Sequence, residues 1–185
     1  MRSEYKDLRR DSDSNPECGM RKGSQKARVR VDRLTLSVFY HSTEDPSKVR
    51  KALLNLVPQG IRGSIRITES VVQGHYGDTI GILTLLVRGR RAGEILKHII
   101  CGLDEIDRKI LLATIANRAG VKPSHLHLRV SKQEAYLGRV ELMDGDDIIK
   151  ISATVLGVRS VEELKAFIKA LIGECVEVRG HSGQV

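Results

Sequence analysis

The amino-acid sequence predicts an α+β fold, with one mixed or antiparallel sheet and helices packed on one of its faces. Segments in which apolar and polar residues alternate, as in strands, are separated by segments with the apolar spacing of helices. The chain has 185 residues, of which 41% are hydrophobic, and this suits one domain with a sizeable core. The predicted order of elements is β-α-β-β-α-α-β-β-β-α.

The first two predicted elements are a strand and a helix. In RVRVDRLTLSVFYHS, apolar residues alternate with polar ones, which indicates a strand with one buried side. In TEDPSKVRKALLNLVP, apolar residues recur at helical spacing, Asp45 is a candidate N-cap, and Pro46 suits the first turn. These features predict an amphipathic helix that ends before Pro58.

A strand pair and two helices follow. The two strands are predicted at SIRITESVV and TIGILTLLV. Apolar residues on both sides of the second strand predict that both of its faces are buried. RAGEILKHIICGL predicts a helix, and DEIDRKILLATIANRAG predicts another, with Asp104 and Asp107 placed to cap it.

The last part of the domain is predicted to contain three strands and a helix. The strands are predicted at HLHLRV, RVELM and DDIIKISATVL. The helix is predicted at SVEELKAFIKALIG, in which Ser160 and Glu163 have the spacing of a capping box. We expect one folded domain at residues 29–172, between a disordered polar tail at residues 1–28 and a flexible C-terminal tail at residues 173–185.

The chain is basic, with 31 Lys and Arg residues against 23 Asp and Glu residues and a formal net charge of +8. This balance favours a polyanionic partner such as nucleic acid, although a merely soluble basic protein would have a similar composition. No apolar run has the length of a membrane span, so we expect no membrane partner.

The three cysteines are widely spaced, at Cys18, Cys101 and Cys175. The sequence has no Cys-x-x-Cys pair, and the pattern indicates neither a zinc knuckle nor a disulfide framework. A protein of the reducing cytoplasm is therefore expected. Cys101 belongs to an apolar helical face, which predicts a buried structural thiol rather than a nucleophile.

Residues that could carry catalysis are few. His125 and His127 point the same way from one predicted strand and could bind zinc, but a third ligand at a suitable spacing is missing. Asp144, Asp146 and Asp147 cluster in one loop, where ordinary turn chemistry also accounts for them. The sequence has no Gly-x-Ser-x-Gly elbow and no Walker-type loop. We therefore predict no metal, no cofactor and no enzymatic activity.

Three arginines in VRGRRAG form a candidate phosphate site. Arg88, Arg90 and Arg91 stand where a predicted strand turns into a helix. Free backbone N–H groups at the start of a helix, together with guanidinium groups, suit a phosphate. Three exposed arginines without a ligand are the alternative.

The stretch SKQEAYLGR, which follows HLHLRV, combines residue types that bind single-stranded or looped RNA. Arg129, Lys132 and Arg139 can reach backbone phosphates. Gln133 offers a donor and an acceptor for a base edge, and Tyr136 offers a stacking face. A polar strand connection with one buried tyrosine would have a similar sequence.

A second candidate RNA contact is GHYG, at residues 74–77. It matches the Gly-x-x-Gly of KH domains, which needs a helix on each side, but strands are predicted here. His75 and Tyr76 could stack on a splayed base. The alternative is a tight hairpin in which Tyr76 folds onto the core.

Four stretches together resemble an archaeal family described as RNA-binding and exosome-associated. The stretches are VFYHSTEDPSKVRKALLNLVP, VVQGHYGDTIGIL, HLHLRVSKQEAYLGRVEL and DDIIKISATV. The resemblance runs from about Val31 to about Val155 and includes the motifs Thr43-Glu44-Asp45, Gly74-His75-Tyr76-Gly77 and Lys132-Gln133-x-x-Tyr136-x-Gly138. That family is similar in fold to the large-subunit ribosomal protein that holds 5S ribosomal RNA. The resemblance implies a mixed sheet with helices on one side, RNA as the ligand, exosome or ribosome components as partners, and no catalysis.

Three hypotheses of different classes follow. The first is a noncatalytic RNA-binding protein of the cytoplasm. The second is a protein-interaction module without direct RNA contact, in which an apolar patch on an edge strand or on the last helix mediates assembly. The third is a small nuclease or other phosphoryl-transfer enzyme that uses His125, His127 and the loop from Asp144 to Asp147.

Overall fold

The computed structural model of the chain describes residues 29–73 and 79–180, with side chains up to residue 175. The predicted N-terminal tail, the end of the predicted C-terminal tail, and the candidate RNA contacts His75 and Tyr76 lie outside the described residues.

The described part of the chain contains five strands and six α-helices. The strands are β1 (Arg30–His41), β2 (Ile67–Gln73), β3 (Thr79–Arg88), β4 (His125–Ser131) and β5 (Ile148–Leu156). The helices are α1 (Pro46–Asn55), α2 (Arg90–Gly102), α3 (Glu105–Ala113), α4 (Ile115–Arg118), α5 (Lys132–Tyr136) and α6 (Val161–Gly180), with a 3₁₀ turn at Gln59–Ser64.

The strands form one antiparallel sheet in the order β2-β3-β1-β5-β4, which confirms the α+β prediction. Because neighbours are antiparallel, β1 and β4 begin where β3 and β5 end; we call this the upper edge of the sheet. The opposite edge, where β1 and β4 end, is the lower edge. The helices pack on one face, with α2 and α1 against β1, and α6 against α2.

The core lies between this face and the helices. Leu34, Leu36 and Val38 alternate along β1 and are fully buried, and Ile95 and Ile99 of α2 are buried as well. Full burial of each such side chain contributes about 1.5–3 kcal/mol relative to exposure, so the alternation decides which face of the sheet is covered.

The other face of the sheet is not covered by described helices. The side chains of Phe39 on β1 and Leu86 on β3 are 40% and 51% exposed. The prediction that β3 is buried on both faces was therefore wrong. Apolar residues follow one another on both sides of this strand, but only the alternate set that ends in Val87 contacts the helices.

The second of the three predicted C-terminal strands, RVELM, is not a strand. It lies along the outer edge of β4, where Ser131 N–H donates to the Glu141 carbonyl at 3.0 Å and Met143 N–H donates to the Arg129 carbonyl at 3.1 Å. Between them Leu142 N–H donates to the Asp107 carboxylate at 2.7 Å instead of to a neighbouring strand. The segment therefore covers the edge of β4 without forming a sixth strand.

Two expectations about the C-terminal region also differ from the structure. Helix α6 continues to Gly180, past residue 172, at which the sequence predicted that the folded domain ends. Cys175 on this helix forms a disulfide with Cys101 on α2, with Cα atoms 5.2 Å apart. The expectation of a free buried thiol was wrong, because the two cysteines become neighbours only when α6 packs on α2. The cysteines therefore give no support to a reducing compartment.

Candidate nucleic-acid interface

The exposed face of the sheet carries opposed pairs of cationic side chains. Strand alternation directs Arg33 of β1, Arg88 of β3, Arg129 of β4 and Lys150 of β5 to this face. The register pairs Arg33 directly with Arg88, and Lys150 directly with Arg129. Like charges directly opposite each other destabilise a sheet, and a bound anion would relieve that repulsion. We call these four residues the cationic face.

Few acidic groups oppose this charge. Among the strand residues that alternate regularly with the buried set, none on the exposed face is Asp or Glu, and Asp32, at the register shift of β1 beside Arg33, is half-buried. Asp144, in the loop before β5, approaches the Arg129 guanidinium at 3.6 Å, and both side chains are exposed. At this distance and exposure the ion pair contributes little, so Arg129 is available to a ligand.

An aromatic ring lies beside the cations. Phe39 is exposed on β1, and the Lys150 ammonium lies 4.9 Å from the centroid of its ring. Phe39 pairs with Ile82 across the strands, so the ring borders a less polar part of the same face. An exposed ring next to a cation is the arrangement on which nucleic-acid bases stack.

Two shallow depressions lie on the side of the exposed face that is formed by β4 and β5 and their neighbours. One, of about 290 Å³, is lined by Thr35, Ser37, His127, Arg129, Lys150 and Ser152. The other, of about 240 Å³, lies between the end of α3, α4 and β4. The two depressions share His127 and Arg129, so hydroxyl, imidazole and cationic groups, together with the Asp144 carboxylate, form one continuous surface.

The arginines of VRGRRAG lie at the upper edge. Gly89, with φ of 64°, takes a positive-φ conformation that favours glycine and lets β3 turn into α2, and its N–H donates to the Asp32 carbonyl at 2.7 Å. No side chain caps the start of α2. Arg91 is exposed, whereas the Arg90 guanidinium pairs with Glu94 at 3.0 Å. Arg88 belongs to the cationic face, and Arg90 and Arg91 extend its charge over the edge.

Lys132 does not present a free charge, which is inconsistent with its predicted contact with a phosphate. The ammonium lies 2.6 Å from the Glu44 carboxylate and 2.6 Å from the Asp147 carboxylate. It also donates to the Phe39 carbonyl at 3.3 Å, and its side chain is only 10% exposed. A phosphate would have to displace two carboxylates from a nearly buried group.

The electrostatics of this cluster follow from burial and hydrogen bonding. Burial lowers the pKa of Lys132, but the hydrogen bonds to Asp147 and Glu44 outweigh it and raise the pKa above its usual value. Partial burial raises the pKa of Glu44, but hydrogen bonds from Lys132 and from the His41 N–H outweigh it and lower the pKa. Both shifts favour the charged pair.

The rest of SKQEAYLGR is a short helix and a turn at the lower edge. The Ser131 hydroxyl caps α5 by accepting a hydrogen bond from Glu134 N–H at 3.3 Å. Glu134 in turn pairs with Arg139, which follows Gly138. Gln133 is exposed, and Tyr136 is half-buried beneath the Lys51 ammonium, which lies 4.7 Å from the ring centroid.

The predicted site residues therefore do not form one patch. Arg88, Arg90 and Arg91 lie at the upper edge, and Lys132, Gln133, Tyr136 and Arg139 lie at the lower edge. Along β1, Arg33 and Phe39 mark these two ends, which are about 20 Å apart at a rise of about 3.3 Å per residue.

Sequence reasoning missed two residues of the cationic face. Arg33 has the same strand parity as Phe39, and Lys150 is the one cation in the apolar run of β5. The alternation of side chains along each strand could therefore have placed Arg33 and Lys150 on the exposed face from the sequence. The pairing of Arg33 with Arg88 depends on the strand register, which the sequence did not reveal.

The described residues provide no metal centre of the usual kind. His125 and His127 lie on the exposed face, paired with Thr154 and Ser152. Within residues 29–73 and 79–180, no group of three or more His, Cys, Asp and Glu side chains could hold a metal ion. Among the described helices, none is long and apolar enough to cross a bilayer.

The fold and the site define an α+β protein whose antiparallel sheet leaves one cationic face open. The chain belongs to the family described as RNA binding, whose model matches residues 33–155. This confirms the family resemblance predicted from the sequence.

Relatives from archaea support this membership. The chain is 33% identical over 121 residues to an uncharacterized protein of Methanocaldococcus jannaschii, covering 65% of this chain and 81% of that protein. It is 27% identical over 130 residues to RNA-binding protein PAB1135 of Pyrococcus abyssi, covering 69% and 84%. The crystal structure of protein SSO0741 from Sulfolobus solfataricus matches with a TM-score of 0.63 and 29% identity, over 77% of this chain and 98% of that one.

Proposed function

We propose that the protein binds single-stranded or looped RNA on the cationic face, without catalysing a reaction. The observation that carries this proposal is the register, which opposes Arg33 to Arg88 and Lys150 to Arg129 on a face that no described helix covers. Membership of a family described as RNA binding supports the same partner.

The arrangement separates two kinds of contact. The guanidinium and ammonium groups hold phosphates, which supplies affinity without sequence preference. Phe39 stacks on a base, and the hydroxyl groups of Thr35 and Ser37 between the cations are within the same depression as Lys150. Such hydroxyls suit the 2′-hydroxyl groups that distinguish RNA from DNA.

The salt dependence of binding tests the proposal. If the four cations of the cationic face each neutralise one phosphate, the logarithm of the association constant should fall against the logarithm of salt concentration with a slope of about −3 on single strands. The double variant Arg33→Gln and Lys150→Gln should bind more weakly and reduce the slope by about 1.4, because each lost contact removes about 0.7.

A matched control comes from the opposite side of the molecule. The double variant Lys165→Gln and Lys169→Gln removes the same net charge from exposed positions of α6, on the helical side of the sheet. It should leave the slope unchanged. Equal losses in both double variants would mean that net charge, and not the cationic face, determines binding.

We further propose that the protein associates with exosome or ribosome components, and the family resemblance supports this association. Affinity purification of the protein from its own cells, with and without nuclease, distinguishes an RNA-binding protein from a protein-interaction module that does not contact RNA. Recovery of the same proteins after nuclease treatment of the wild type, but no RNA in either sample, would favour the interaction module that does not contact RNA.

A further inference from the structure

A pocket at the lower edge of the sheet is not used by the cationic face. It has a volume of about 300 Å³ and lies between α1, α5 and the start of β5. Its apolar wall is formed by Val49, Ala52 and Leu137. Its polar wall is formed by Gln133, Tyr136 and the Lys132 cluster, by which we mean Lys132 with Glu44 and Asp147. The volume is at the lower end of the range of small-molecule sites.

The charges of this pocket disfavour two classes of ligand. Two ammonium groups, of Lys48 and Lys132, and two carboxylates, of Glu44 and Asp147, line it, so their formal charges sum to zero. A metal ion is disfavoured because the Lys132 ammonium already occupies the space between the carboxylates, 2.6 Å from each. A phosphate is disfavoured because both carboxylates would repel it. A neutral, polar and partly flat ligand fits best.

The polar groups of the pocket that have no partner among the described residues include both acceptors and donors. Asp147 uses Oδ1 for Lys132, and in the described part of the chain its Oδ2 has no hydrogen bond. The Asp147 side chain is 36% exposed, so this oxygen is accessible to a ligand. The side-chain amide of Gln133 and the hydroxyl of Tyr136 likewise have no hydrogen-bond partner among the described residues.

We propose that this pocket binds a base of the RNA that carries adjacent N–H donors, with guanine as the best fit. The N1–H and the exocyclic amino group of guanine are two parallel donors that match one carboxylate, here Asp147, whose Oδ2 would accept one of them and whose Oδ1 would accept the other in addition to the Lys132 ammonium. Gln133 can accept from or donate to the same base edge, and the ring of Tyr136 provides a flat wall. This inference rests on the proposed function, because the base belongs to an RNA strand held on the cationic face.

The position of the pocket allows one strand to reach both sites. Lys132 donates to the backbone carbonyl of Phe39, the residue whose ring lies at the lower end of the exposed face. Asp147 directly precedes β5, which carries Lys150 on that face. A strand that runs along the cationic face toward the lower edge therefore arrives at the pocket after Phe39.

Base discrimination by short labelled RNAs tests this inference. The three probes are oligouridines that carry uridine, guanosine or inosine at one central position and are otherwise identical. The wild type should bind the guanosine probe about tenfold more tightly than the uridine probe, since a bidentate contact discriminates by about this factor. Inosine lacks the exocyclic amino group, so its probe should bind with intermediate affinity.

Two variants assign the discrimination to the pocket. Asp147→Asn removes one acceptor at constant shape and should abolish the preference for guanosine over inosine, with the affinity and salt slope of the uridine probe unchanged. Because Asp147 also holds Lys132, its unfolding temperature must be measured. Gln133→Ala, at an exposed position without a partner, gives a second variant that should reduce the preference about threefold without affecting folding.

The outcomes separate the two proposals. Equal affinities of the wild type for the three probes, with a normal salt slope, would overturn the base pocket and leave the cationic face intact. A preference that persists in both variants would also overturn it. Absence of binding to every probe would overturn the proposed function. In that case the pocket is tested by itself: free guanosine, but not uridine, should shift the NMR signals of the Gln133 amide. If free guanosine causes no shift, the pocket is rejected as well.

Discussion

The disulfide between α2 and α6 should make a large contribution to stability. Cys101 and Cys175 are separated by 74 positions, so the bond closes a long loop in the unfolded chain. In the chain-entropy model, such a loop lowers the entropy of the unfolded state by about 15 cal/mol/K, or about 4.5 kcal/mol at 25 °C. Native-state strain and residual unfolded structure usually reduce this value, so we expect the oxidised protein to be more stable by about 3–4.5 kcal/mol.

Guanidinium unfolding of the oxidised and the reduced protein measures this difference. All samples carry Cys18→Ser, so that this third cysteine cannot exchange with the pair, and thiol alkylation followed by mass spectrometry establishes the redox state. The double variant Cys101→Ser and Cys175→Ser is the control, since a reducing agent should not change its stability. Equal free energies of unfolding for the oxidised and reduced forms would refute the entropic argument and the pairing of these cysteines.

Three further variants concern Lys132, which pairs with two carboxylates, and two glycines. Lys132→Met should lower the free energy of unfolding by about 3 kcal/mol, because it leaves two carboxylates without their cation. The fold lowers the pKa of Glu44, so the stability that its ionised carboxylate contributes is present above the unfolded pKa of about 4.3 and is lost as the pH falls through the folded pKa. Lys132→Met should therefore lose less stability on acidification than the wild type does. Gly93→Ala, inside α2 with free space at the Cβ position, should stabilise the protein by about 0.5–1 kcal/mol. Gly81→Ala should destabilise it by about 1–3 kcal/mol, because the new Cβ would lie 1.9 Å from the ring of Tyr40.

Urea denaturation at several pH values, followed by circular dichroism, measures all of these changes. Lys169→Met, at an exposed position of α6, is the control for the loss of one lysine and should be nearly neutral. If Lys132→Met were as harmless as this control, the Lys132 cluster would contribute no stability. A destabilising Gly93→Ala would mean that the start of α2 is packed more tightly than the structure shows.

Local sequence signals predicted most elements of the fold. Asp45 and Asp104 cap α1 and α3 as predicted, because the preference of a helix start for a short acceptor is decided within a few residues. Asp107 was placed equally well in sequence, but its carboxylate instead accepts from the Leu142 N–H. The choice between a cap and a distant partner depends on which segment packs nearby, and this is a tertiary property.

The predicted strand RVELM shows the same limit. Its residues have strand propensity, and they do lie beside β4. Two backbone hydrogen bonds flank a single bridge at Leu142, and the Leu142 N–H, which points away from β4, donates to the Asp107 carboxylate. Propensity reports how residues fit a sheet, whereas a strand exists only where a neighbour offers the matching groups.

The sequence predicted the residue types of the candidate site better than it predicted where those residues lie in the fold. Charge alone indicated a polyanionic partner, and Arg88 and Arg129, which the sequence offered as phosphate contacts, lie at exposed positions. Lys132 had the residue type of a phosphate contact, yet it is buried between two carboxylates that are distant in sequence. A single sequence carries no information on which acid lies beside which base after folding.

The alternation of apolar residues, the caps and the basic balance of charge belong to the sequence itself, because each is decided by neighbours along the chain. The strand order, the pairing of Arg33 with Arg88, the disulfide and the pocket at the lower edge arise only in the tertiary structure. Their members are separated by many residues, and only the register of the strands and the packing of the helices bring them within contact distance.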